Sequence, residues 1–141
     1  MTTLDTNEKA RSRELPLVLA VDDSPVQLRL IQDALTRNGY AVKTAPSGEE
    51  ALALLAVVAP GVIISDVMMA GMSGYEFCQH LKRDETLRRI PVVLLTGENS
   101  PKDFKAGSDA GAVMYVTKPF KAESLLNAVR MLCPAHHLPG D

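Results

Sequence analysis

No dense cluster of lysine or arginine occurs in the 141-residue sequence, and its formal net charge is only -2. A direct nucleic-acid footprint is therefore not expected. No apolar run reaches membrane-spanning length, and the start carries no signal-peptide h-region. That predicts a cytoplasmic protein with no membrane insertion. Cysteine is scarce: Cys78 and Cys133 are the two, without CxxC spacing. A disulfide or metal role for them is not expected, and Cys78, inside a helical pattern, reads as a small core residue. There is no internal repeat and no low-complexity segment. What is there, 46% hydrophobic and 23% charged, is the composition of a globular domain, and the length suits one domain with a real core.

Residues 1–14 are polar and lack apolar periodicity, which predicts a disordered leader. Residues 15–133 carry the domain, and 134–141 form a short tail. His136-His137 in that tail make a poor metal site without further ligands. Between leader and tail, strands and helices alternate. The strands are expected at Leu17 to Val21, Tyr40 to Ala45, Val62 to Ser65, Pro91 to Thr96 and Val113 to Thr117. Ser24-Pro25 supplies the cap and first turn of a first helix, with Leu28, Ile31, Ala34 and Leu35 facing inward and Gly39 stopping it. Ser47 with Glu50, and Ser73 with Glu76, read as capping boxes of the second and third helices. Pro60 is expected to end the second. The fourth helix, from Ser100-Pro101, looks weak, with Phe104 its only large apolar residue and Gly107 interrupting it. The last runs from Lys121 to Leu132. Short apolar strands alternating with helices imply an α/β doubly wound sandwich around a parallel sheet.

In such a sheet the C-terminal strand ends share one edge, where ligands bind. Asp22 and Asp23 follow the first strand, Asp66 the third, Thr96 ends the fourth, and Lys118 follows the fifth. Taken singly, each has an ordinary explanation: a strand-ending acid, a helix-start acid pair, a turn. Taken together they place three carboxylates, a hydroxyl and an ammonium on one edge. Three close carboxylates repel, so their charge must be offset. Mg²⁺ suits, because it takes one or two protein carboxylates plus phosphate oxygens and water. Such a site can perform phosphoryl transfer onto a carboxylate. Asp66, single and central, is the nucleophile candidate, and Asp22 and Asp23 suit metal binding. Thr96 and the backbone N–H groups at Met68 and Gly97 can donate to phosphoryl oxygens.

These residues resemble the receiver domain of two-component response regulators over Leu17 to Leu132. The matching motifs are VDDS (Val21 to Ser24), SDVMMAGMSG (Ser65 to Gly74), PVVLLTG (Pro91 to Gly97) and YVTKPF (Tyr115 to Phe120). The resemblance implies a flavodoxin-like (βα)5 fold, like the chemotaxis regulator, with strand order 2-1-3-4-5. It implies that Asp66 accepts a phosphoryl group from the phosphohistidine of a sensor histidine kinase or a phosphotransfer protein. Asp23, Asp66 and the Met68 backbone carbonyl would bind Mg²⁺ directly, with Asp22 acting through water. Lys118 would pair with the phosphoryl group, or with Asp66 in its absence. Thr96 and Tyr115 would form the switch pair, and the Lys118–Pro119 bond would be cis. A downstream protein partner would bind the face formed by the fourth helix, fifth strand and fifth helix, which would show Lys102, Lys105, Tyr115 and Lys121. The weakly anchored fourth helix is the natural bistable element.

Two departures stand out. The family's loop after the acceptor usually reads MPxMDG; here it reads Met69-Ala70-Gly71-Met72-Ser73-Gly74, and Ala70 in place of proline predicts a looser loop. Lys121 stands where a capping Asp or Ser is common, so the last helix is expected to fray at its start. Positions two after Asp66 and two after Thr96, here Met68 and Glu98, tune acyl-phosphate hydrolysis in this family. Met68 cannot hydrogen-bond an attacking water, which predicts a longer-lived phosphoryl group than Asn would give.

Other classes fit less well. A phosphohydrolase working through an aspartyl phosphate needs a second acid two residues past the nucleophile, and Met68 stands there. An unphosphorylated receiver-shaped scaffold would show losses among the acids or the lysine, and none is lost. The chain is thus expected to catalyse only its own phosphoryl transfer and autodephosphorylation. It is either a single-domain regulator or a receiver module from a larger multidomain regulator or hybrid kinase.

Overall fold

The computed structural model describes residues 15–97 and 101–135, except the side chains of residues 101–104 and 107. The expected leader, Glu98, Ser100, the side chains of Lys102 and Phe104, and His136-His137 all lie outside the described residues. Five strands, β1 (Leu17–Val21), β2 (Ala41–Ala45), β3 (Val62–Asp66), β4 (Val92–Thr96) and β5 (Met114–Thr117), form one sheet in the order β2-β1-β3-β4-β5. Every neighbouring pair is parallel. The helices between and after them are α1 (Pro25–Thr36), α2 (Gly48–Leu54), α3 (Gly74–Arg83), α4 (Pro101–Ala110) and α5 (Ala122–Leu132).

The apolar strands bury both faces, and strict alternation divides them between two cores. Val18, Ala20, Val62, Ile64, Val93 and Leu95 point to one face, packed with Ile31 and Leu35 of α1 and Leu125 and Val129 of α5. Leu19, Val21, Ile63, Val92 and Leu94 point to the other, packed with Ala51 of α2, Phe77, Cys78 and Leu81 of α3 and Ala110 of α4. Cys78 is fully buried there, and both cysteines are free thiols. The flavodoxin-like doubly wound sandwich is thus observed with the expected strand order.

Local chemistry sets the boundaries. The Ser24 hydroxyl accepts the Gln27 N–H at 3.2 Å, with Pro25 opening α1. Gly39, at φ +91°, turns the chain after α1 into Tyr40, whose buried ring sends its hydroxyl to the Cys133 carbonyl at 2.7 Å. The reciprocal box of Ser73 and Glu76 opens α3. At α2 only the Ser47 half is recorded, accepting from the Glu50 N–H at 3.1 Å.

That helix also stops at Leu54, well short of Pro60. The N–H groups of Ala56 and Val57 close tighter turns onto Ala53 and Leu54. The β-branched pair Val57-Val58 and the approach to Pro60 both disfavour continuing the helix. Gly107 does not interrupt α4, which runs on to Ala110. Lys121 caps α5 without any side-chain hydrogen bond. An unforeseen 3-10 turn, Leu87–Arg89, is set by Asp84, whose Oδ1 accepts the N–H groups of Thr86 and Leu87 at 2.8 and 3.0 Å. Among the described residues no helix is long and apolar enough to cross a membrane.

One close approach ties fold to site. β3 runs one residue further than expected, through Asp66, and α3 begins against its end. The Gly74 N–H donates to the Val67 carbonyl at 2.9 Å. A Cβ at Gly74 would collide with the Asp66 carbonyl and lie 2.9 Å from the Val67 Cα. Both neighbours are backbone, so neither can swing aside. Gly74→Ala is expected to lower stability by about 1–3 kcal/mol, as overpacking does. Gly97→Ala is the matched control, because a Cβ there meets nothing within 4 Å. Thermal unfolding of the two variants checks the contrast.

Candidate functional site

Parallel pairing brings the C-terminal ends of β1, β3, β4 and β5 onto one edge, and the predicted residues meet there. Asp66 is the last residue of β3 and 5% exposed; Asp22 follows β1 directly and is 1% exposed. Asp23, next along, is exposed to solvent. Carboxylate oxygens of Asp22, Asp23 and Asp66 lie within 4.8 Å of one another. Lys118, after β5, donates from Nζ to Asp66 Oδ1 at 2.8 Å and stands 3.9 Å from Asp22 Oδ2. Its own N–H donates to the Thr96 carbonyl at 2.7 Å, and the Lys118–Pro119 peptide bond is cis. Thr96, at the end of β4, is 5% exposed and pairs in register with Thr117.

The three carboxylates are held differently. Asp22 Oδ1 accepts the Ser24 N–H at 2.9 Å, while its Oδ2 is buried without a hydrogen-bond partner. Burial pushes the Asp22 carboxyl above the usual carboxylate value; the Ser24 N–H and Lys118 pull it back, and the charges of Asp66 and Asp23 push the same way as burial. Asp23 Oδ2 accepts the Ala70 N–H at 3.0 Å. Asp66 has the lysine.

Every donor in this cluster is an oxygen, which suits a hard cation. The unpartnered Asp22 oxygen, buried beside two further carboxylates, is the kind of atom a cation or its water would satisfy. The residues present therefore fit Mg²⁺.

Tyr115 pairs with Leu94 on β5, two residues short of the edge, and is half-buried against the second core. Burial raises its phenol, and a hydrogen bond with Ser108 of α4 acts the other way. Met68, two residues past Asp66, leaves its side chain 77% exposed. The Asp23–Ala70 hydrogen bond and the Gly74 approach escaped the sequence reading. Ala70 itself was the available signal, since any residue but proline there supplies an N–H.

The comparisons with known proteins agree with this geometry. Residues 18–130 match the response regulator receiver domain. Response regulator PleD of Caulobacter vibrioides is 43% identical over 115 residues, which is 82% of this chain and 25% of that protein. The DNA-binding dual master transcriptional regulator RpaA of Synechocystis is 38% identical, over 84% of this chain and 49% of its own length. The chain thus spans a quarter to a half of these curated relatives. Chemotaxis protein CheY4 of Vibrio cholerae superposes with a TM-score of 0.81 at 37% identity, covering 84% of this chain and 99% of that one. The receiver domain of sensor histidine kinase PA1611 from Pseudomonas aeruginosa superposes at 0.76 with 26% identity, over 83% and 96% of the two chains, and holds a magnesium ion in its active site cleft. On its fold, its acidic edge and these matches, the chain belongs to the receiver domains of two-component response regulators, a family of signalling switches.

Proposed function

We propose that residues 15–133 form a phosphorylation-activated switch in which Asp66 accepts a phosphoryl group from the phosphohistidine of a sensor histidine kinase or a phosphotransfer protein. The observation that carries this is a charge imbalance. Three carboxylates lie within 4.8 Å of one another, and Lys118 is the cation recorded there among the described residues.

A carboxylate oxygen of Asp66 attacks phosphorus, the P–N bond to the donor imidazole breaks, and the imidazole leaves as the neutral ring once protonated. Bound Mg²⁺ would supply positive charge to the phosphoryl oxygens. Asp22, Asp23, Asp66 and the Met68 carbonyl are the groups that would hold it. Lys118, already 2.8 Å from the acceptor oxygen, neutralises charge as the phosphoryl group arrives. Thr96 donates a hydrogen bond to the new oxygens, and Tyr115 follows the movement of Thr96. The added charge is about -1.5 to -2 with three acceptor oxygens, enough to bias a loosely held element. The α4, β5 and α5 face, with Lys105, Tyr115 and Lys121, is the surface a downstream protein partner would read, in the cytoplasm.

A second reading is favoured by the lengths of the relatives, which are two to four times longer in proportion to their matched part. On it, this receiver is the input module of a larger multidomain regulator or hybrid kinase, with the same chemistry at Asp66. Intact mass after incubation with acetyl phosphate and Mg²⁺ tests the chemistry common to both. One phosphoryl group added only with Mg²⁺ is expected. Neither that adduct nor Mg²⁺-dependent binding of beryllofluoride would leave the unphosphorylated scaffold.

The lifetime of the adduct gives a further prediction. The exposed thioether of Met68 cannot hold a water in line with phosphorus, whereas an amide can. Met68→Asn is expected to shorten the acyl-phosphate half-life, because an amide can orient the attacking water. Decay of the mass adduct measures it, and slower decay in the variant would count against the water-positioning argument.

A further inference from the structure

We propose that the backbone N–H of Ala70 is a positioning donor for Asp23, holding that carboxylate in place for a divalent cation. The inference rests on the reading of Asp22, Asp23 and Asp66 as a Mg²⁺ site. Asp23 is the exposed member of the three, so packing does little to fix its side chain. Its Oδ2 accepts from the Ala70 N–H at 3.0 Å, across 47 residues of chain. Asp22 is held in the same manner, Oδ1 on the Ser24 N–H, with Oδ2 left over. Asp66 gives Oδ1 to Lys118. Each carboxylate thus has one oxygen committed to a donor of the protein, and a carboxylate has acceptor sites enough to offer its second oxygen elsewhere.

The donor is itself anchored. The loop that carries Ala70 is closed behind it by the Gly74 N–H on the Val67 carbonyl at 2.9 Å. Gly71, at φ +77°, turns the chain immediately after Ala70 beside the Glu49 carboxylate, and the Met72 side chain lies on Gly48 at the start of α2. The position is open to this role because it is not proline. The loops this one resembles usually have proline there, which lacks the N–H. Ala70 therefore exchanges ring stiffness for a hydrogen bond into the site, and the bond pins the loop that the substitution would otherwise loosen. Donors of this kind orient metal ligands, and losing one typically costs 10–100-fold in affinity. Asp23 is exposed, so the low end applies.

Calorimetric titration of the metal-free protein with Mg²⁺ tests the proposal on the wild type, Ala70→Pro and Ala70→Ser. Ala70→Pro deletes the N–H and is expected to weaken Mg²⁺ about 10-fold. Ala70→Ser keeps the N–H and is expected to stay within about twofold, which a role of Ala70 through its methyl group would not give. Amide hydrogen exchange of the wild type supplies an arm that does not depend on the proline variant folding. The Ala70 amide is expected to exchange more slowly with Mg²⁺ than without. Mg²⁺ binding by the wild type that is matched or exceeded by Ala70→Pro overturns this proposal alone, as does faster Ala70 exchange on loading. No saturable Mg²⁺ binding by the wild type overturns the metal reading beneath it, and the proposal with it.

Discussion

An Asp66→Asn chain incubated with acetyl phosphate and Mg²⁺ is expected to keep its mass, where the wild type gains one phosphoryl group. The substitution keeps the shape of the side chain and removes its charge and its nucleophilic oxygen pair. An amide oxygen is a far weaker nucleophile, so the loss of rate should be at least ~10³-fold, as when a nucleophile is deleted. Lys118 would lose the carboxylate at 2.8 Å but retain Asp22 at 3.9 Å, so the cation stays at the site. The result therefore reports on the acceptor rather than on collapse of the charge cluster. The neighbouring acids set the alternative outcome. Asp22 is 1% exposed and closed to a donor, whereas Asp23 is open. An adduct that persists in Asp66→Asn and maps to Asp23 would mean that the acceptor has been misassigned while the acidic edge is right.

Most of this edge was legible because parallel topology does the convergence. Once β1, β3, β4 and β5 are recognised as parallel strands, residues at their C-terminal ends must share one edge, whatever separates them in sequence. Asp22, Asp66, Thr96 and Lys118 needed no further information. The helices were legible where a cap and an apolar stripe agree, as at Ser24 and at Ser73 with Glu76. Legibility failed where the deciding contact is distant or atomic. The end of α2 depends on how Ala56 and Val57 close their turns several residues ahead of Pro60. The 3-10 turn depends on one Asp84 oxygen serving two amides. Composition at position 70 suggested only a looser loop; the partner that pins it, Asp23, is 47 residues away. Gly74 read only as the end of the loop after Asp66, yet its lack of a Cβ is what lets α3 reach the Asp66 backbone.

Asp22→Asn is expected to separate stability from function. Asp22 carries charge in a place that burial makes hostile to it. One oxygen has the Ser24 N–H, and the other has no hydrogen-bond partner and a lysine no nearer than 3.9 Å. Its pKa in the folded protein is raised above the usual 3.8, chiefly by burial. A folded state that holds the proton more tightly than the unfolded chain gains stability below the unfolded value and loses it as pH rises through the folded one. At neutral pH the ionised Asp22 is therefore a standing cost. An asparagine can keep the Ser24 contact through its oxygen and puts an uncharged amide where Oδ2 stands, 3.9 Å from the Lys118 ammonium. In metal-free buffer the variant should be more stable than wild type by about 1–2 kcal/mol, within the cost of a buried polar atom left without a partner. For a domain of this size that is a rise in Tm of roughly 5 °C. The difference should shrink as pH falls toward 4, because protonation relieves the wild type of the same charge. Mg²⁺ should reverse the order. Ligand binding to the folded state at a hundred times its Kd adds about 2.7 kcal/mol, and a variant lacking one of the acids that hold the cation would gain much less of it. Thermal unfolding with EDTA and with Mg²⁺, at neutral pH and near pH 4, reads all of these arms. A variant less stable than wild type in EDTA would mean that the Lys118 contact compensates the buried charge after all. A variant stabilised by Mg²⁺ as strongly as wild type would mean that Asp22 stands outside the metal site.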